Sequence, residues 1–107
     1  MRDHRMLDQR SFAMHKLAAA KIRQNPALFQ NVVSTLERWR KQVCASSRPY
    51  LDEWDVLVTR GMDACLEKAI EESEHAAALR QASPFSSVLT NQERFEFLKQ
   101  WGREHDS

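Results

Sequence analysis

Arg10 and His15 set a permanent cation beside an imidazole, and five residues of helix put them about 140° apart, so a common ligand requires both side chains to extend. The plainer reading is a helix-surface arginine and a partly buried histidine. Glu71 and His75 stand at i, i+4, which places a carboxylate and an imidazole on one helical face. A metal site usually needs three or four ligands and the other histidines are terminal or distant, so an exposed pair is expected, with no metal site and no cofactor. Cys44 and Cys65 form no CxxC and have no neighbouring His, which suits two reduced thiols. The two glycines, Gly61 and Gly102, stand alone, so no phosphate-cradling loop of the P-loop kind exists. Arg38-Trp39-Arg40-Lys41, with Arg48-Pro49-Tyr50 close behind, interleaves bases and aromatics as nucleic-acid surfaces do. Trp39, however, continues an apolar stripe, which leaves Arg38, Arg40, Lys41 and Arg48 as a solvated edge and nucleic-acid contact as the lesser reading.

The elements that must carry these residues are helices. Strand alternation is nearly absent, and Val32-Val33 sits inside a helical pattern. Asp8 is expected to cap a first helix to about Gln24, with Phe12, Leu17, Ala18, Ala19 and Ile22 on a broad apolar face. Asn25-Pro26 ends it and opens the next. There Leu28, Phe29, Val32, Val33, Leu36, Trp39 and Val43 recur at threes and fours, the clearest core stripe in the chain. A loop at 44–49 follows, then a short helix with Leu51, Trp54, Leu57 and Val58 that Gly61 stops. Met62, Cys65, Leu66, Ala69 and Ile70 resume the period, and Ala76, Ala77 and Leu79 carry it on across an acidic insert whose kink or continuity the pattern leaves open. Thr90 and Glu93 form a capping box for a last helix bearing Phe95, Leu98 and Trp101, closed by Gly102.

With 107 residues, 42% hydrophobic and 29% charged, the chain fits one all-α domain spanning 1–107, a compact bundle of four to six helices. It has no apolar run of membrane-spanning length and no secretory h-region in the sequence given, so a cytoplasmic location is expected. The net charge is only +1, yet residues 1–50 hold ten bases against three acids and residues 51–107 six against twelve. Such a division either meets a polyanion or complements itself within the fold or between protomers, and the second is favoured.

The spacing Arg10-x4-His15 resembles the ribonuclease motif of HEPN domains, helical bundles that cleave RNA as dimers. That resemblance implies a metal-independent ribonuclease in which His15 is the general base and Arg10 holds the scissile phosphate. A wider resemblance joins Arg10-Ser-Phe-Ala-Met-His15 to Leu79-Arg-Gln-Ala-Ser-Pro-Phe85 with Val88-Leu89. These stretches are similar to a group of small uncharacterised bacterial proteins with R-S-x-A-x-H early and L-R-Q-x-S-P-F-x-x-V-L late. The group is often encoded beside a nucleotidyltransferase-like gene, as in toxin–antitoxin or defence modules, which implies a protein partner and brings no residue roles. Read physically, Ser83-Pro84-Phe85 fixes a turn, Phe85, Val88 and Leu89 plug the bundle, and Arg80 binds backbone carbonyls. A functional reading has Arg80, Ser83 and Ser86 line an anion pocket.

The leading expectation is a non-enzymatic protein-binding component of such a two-gene module, with homo-oligomers possible. A HEPN-like ribonuclease at Arg10 and His15, and a nucleic-acid accessory using the basic first half, are the alternatives.

Overall fold

The computed structural model describes residues 2–42 and 47–105, without the side chains of residues 2–7 and Ser86. Val43 and Cys44 lie outside the described residues. The fold is an all-α bundle of six helices, with no strand among the described residues. Helix α1 runs Arg2–Gln24. It starts earlier than the Asp8 cap suggested, because nothing in Arg2-Asp-His-Arg-Met-Leu7 interrupts a helix; that run lacks Gly, Pro and β-branched residues. A 3-10 turn, Pro26–Leu28, leads into α2, Phe29–Gln42. The Asn25 side chain makes no cap bond; its carbonyl instead accepts from the Leu28 N–H at 2.9 Å.

On α2, Val32 and Leu36 are buried and Leu28, Phe29 and Trp39 pack beside them, so the stripe is the core element the period announced. It lies against α3, Arg48–Arg60, and against a second 3-10 turn, Pro84–Val88. Trp54 of α3 is fully buried, which demands a partner for its indole N–H; Leu79 O supplies one at 2.9 Å. Gly61 divides α3 from α4, Met62–Ala69. Its φ of 124° and ψ of 168° lie outside the left-handed helical well that a helix stop usually uses, in a region essentially closed to residues with a Cβ. In that pose its N–H closes α3 on Leu57 O and Val58 O, while its carbonyl accepts from Cys65 N and opens α4.

The acidic insert is a true break. Helix α4 ends at Ala69, and α5, Glu74–Arg80, begins under Ser73, whose hydroxyl accepts from the Ala76 N–H at 3.1 Å. Helix α6, Asn91–His105, opens on the expected capping box: Thr90 N–H donates to Glu93 Oε1 at 2.8 Å and Glu93 N–H to Thr90 Oγ1 at 3.1 Å. Gly102 does not close it. No proline follows, and the helix continues to His105, which hydrogen-bonds and stacks on Trp101 one turn back. None of the residues of α6 is buried. Lys21 of α1 holds its first turn, donating to Glu93 and, at 3.0 Å, to Val88 O.

Ion pairs join the basic and acidic halves: Lys21 with Glu93, Arg23 with Asp63, and Arg40 with both Asp52 and Asp55. Among the described residues no helix is long and apolar enough to cross a membrane.

Candidate functional site

Early and late motif stretches meet in one cleft of about 270 Å³, where α1 and the end of α5 face the Pro84–Val88 turn, with Trp39 of α2 on one wall. Ser11, His15, Arg80, Ser83 and Phe85 all line it. His15 is 7% exposed and spends both ring nitrogens. Nδ1 lies 2.7 Å from Ser11 O, which can only accept, so Nδ1 carries the proton. Nε2 therefore accepts from the Ser83 hydroxyl at 2.7 Å, and Ser83 Oγ in turn accepts from the Phe85 N–H at 3.1 Å. Burial pushes the imidazole down from 6.5 to about 4; the bond to Ser11 opposes this and the Arg80 charge adds to it. The ring is thus neutral at physiological pH, as the Ser83 bond requires.

A serine bonded to a histidine whose far nitrogen is oriented is the outline of an activated nucleophile. Here a backbone carbonyl stands where a carboxylate would support the imidazolium, and burial beside Arg80 disfavours that imidazolium. The geometry suits a tie between α1 and the Pro84 turn better than a base. Phe85 lies between His15 and Trp54, with ring centroids 5.7 and 5.5 Å away, so the tie fixes the plug formed with Val88 and Leu89.

Arg80 is 8% exposed. Its Nη1 donates to Ala69 O at 3.1 Å and Glu71 O at 2.9 Å, so the carbonyls it binds belong to the α4–α5 link, while its Cζ sits 4.9 Å from the centroid of Phe12. Desolvation lowers its pKa, and Asp8, Glu71 and Glu72 act in the opposite direction. Of the three residues expected around an anion, Arg80 and Ser83 reach the cleft; the Ser86 side chain lies outside the described residues. Arg10 is half-buried on α1 and is not among the residues that line the cleft, so His15 shares it with Arg80 rather than with Arg10.

Elsewhere the polar candidates separate. His75 bonds Glu53 of α3 at 2.7 Å, while Glu71 takes Ser73 and Lys68, which hold its carboxyl below the usual range. The i, i+4 pair expected from the sequence is therefore not formed, because Glu71 lies in the break before α5. Among the described residues no three His, Cys, Asp or Glu side chains gather as metal ligands would. Arg38, Lys41 and Arg48 are exposed, whereas Arg40 is committed to Asp52 at 2.9 Å. Cys65 is fully buried and its thiol is pushed up to about 12.

A second feature escaped the sequence. Helices α1 and α6 flank a groove of about 720 Å³ lined by Ala13, Leu17, Ala20, Phe97 and Trp101, with Lys16, Glu96 and Glu104 among its polar residues. Leu17, expected in the core, is 41% exposed, and Phe95 and Leu98, expected as a packed stripe, are 65% and 38% exposed and do not line the groove. One signal was available: Ala13, Leu17 and Ala20 repeat at i, i+4, i+7 beside the Ala18 and Ile22 face, an apolar arc too broad for a single contact.

No family model matches the chain, and neither do any curated protein or any solved structure.

Proposed function

We propose that this chain is a non-enzymatic protein-docking component of a bacterial two-gene module, meeting a nucleotidyltransferase-like partner in the cytoplasm through the face made by α1 and α6. One observation carries the reading: α6, a fifteen-residue helix with no buried residue, turns Phe97 and Trp101 to an open groove against α1 and leaves Phe95 and Leu98 exposed on its other side. Apolar surface left open in this way on a small protein marks an interaction site, since a monomer gains nothing by hydrating it. The resemblance of the two motif stretches to proteins encoded beside such partners supports the identity of the occupant. Self-association through the same face is the homo-oligomer form of the reading.

The test is co-expression with the protein encoded by the adjacent gene, followed by capture on a tag carried by this chain. Phe95→Ser with Leu98→Ser should abolish capture at an unchanged melting temperature, because neither side chain is buried. Capture that survives this double change and Leu17→Asp would refute the docking face.

A further inference from the structure

The cleft between the motif stretches holds a cation without a counter-ion. Arg80 is buried, yet among the described residues no carboxylate lies within ion-pair distance of its guanidinium, and its buried Nε–H meets no acceptor. Its contacts on Ala69 O, Glu71 O and the Phe12 ring fix its plane but bring no full negative charge. Buried charges in proteins are ordinarily paired, and a buried donor left without an acceptor loses its hydration with nothing in return. Neither His15 nor Ser83 supplies the missing acceptor. The imidazole has spent both nitrogens, and Ser83 Oγ, which donates to one of them and accepts from the Phe85 N–H, takes no bond from Arg80.

From this we infer that the cleft binds a small monoanion, a carboxylate on a planar apolar body, whose charge pairs with Arg80. Trp39, Phe85 and Met14 furnish the apolar walls, and about 270 Å³ accommodates a single ring with its headgroup rather than a polymer. Asp8, Glu71 and Glu72 lie near enough to act on the Arg80 charge without pairing to it, so they oppose a second negative charge in the cleft. Their field disfavours a phosphate dianion more than a carboxylate. The cleft is independent of the α1–α6 face.

Benzoate, phenyl phosphate and the neutral analogue benzyl alcohol, each titrated into the whole chain and followed by the NMR signals of Arg80 Nε–H and the Trp39 indole, test the inference. Benzoate should give saturable shifts with a dissociation constant below about 1 mM. Phenyl phosphate should bind several-fold more weakly and benzyl alcohol should not saturate. Arg80→Met should abolish benzoate binding, but it also cuts the staple on the α4–α5 link. Gln81→Glu at the exposed rim is therefore the second variant; it adds a competing carboxylate and should weaken benzoate about tenfold at an unchanged melting temperature. Equal binding of benzyl alcohol, tighter binding of phenyl phosphate, indifference to Gln81→Glu, or no saturable shift with benzoate would each overturn it.

Discussion

His15 is a buried residue whose cost of removal can be argued from its partners. Replacing it by Ala leaves the Ser83 O–H without its acceptor, removes the ring's bond to Ser11 O and opens a cavity against Phe85, so a loss of about 2–4 kcal/mol is expected in urea unfolding. A variant that lost RNA cleavage while keeping wild-type stability would instead point to the ribonuclease reading. The same burial sets a pH dependence. In the unfolded chain the imidazole takes its proton near 6.5, in the fold only near 4, so between these values the unfolded state binds more protons. Stability is thus whole above about 6.5 and falls as pH drops through the window, by about 3 kcal/mol in all. In His15→Ala this slope should shrink by the contribution of one histidine. Cys65 makes a parallel case: with Cys44 replaced by Ser, a thiol pushed up to about 12 in the core should react with a disulfide reagent at pH 8 only at the rate of unfolding.

Helix α6 shows where local rules suffice and where they stop. Thr90 and Glu93 announced its start because a capping box is a relation between residues three apart, and the stripe of α2 was readable for the same reason. What α6 packs against is not a local property. Its period declares an apolar face, and only the folded chain shows that Phe95 and Leu98 meet no core. The cleft divides in the same way. Arg80, Ser83 and Ser86 fall within seven residues and suggested a pocket, but the tie from Ser83 to His15 spans 68 positions and leaves no trace in spacing. Helix α1 outran its expected start because a good N-cap at Asp8 permits a beginning without forbidding an earlier one. Since α6 is fastened at its first turn, Thr90→Ala should cost about 1 kcal/mol there. Amide exchange should then quicken across residues 91–105 and hold steady in α2 and α3, whereas uniform acceleration would show that α6 is an integral part of the cooperative core.

At the scale of the whole molecule the divided charge is in part complemented within the fold. Lys21, Arg23 and Arg40 from the basic half each reach an acid of the other half, and Arg40 bridges α2 to two carboxylates of α3. These are exposed pairs, each worth at most about 1 kcal/mol, but reversing them turns attraction into repulsion at the same positions. Arg38→Glu with Arg40→Glu and Lys41→Glu should accordingly lower stability by about 1 kcal/mol and leave oligonucleotide binding as weak as in the wild type. Arg38, Lys41 and Arg48 remain exposed, and a polyanion approaching them also meets the field of twelve acids in residues 51–107. Affinity for a mixed oligonucleotide at physiological salt should therefore be poor from the outset. Were the basic edge built for phosphates, the wild type would bind in the submicromolar range, the reversal would abolish binding, and the logarithm of affinity would fall linearly with that of salt as each neutralised phosphate releases its counterions. Filter binding of both proteins across a salt series decides between the two.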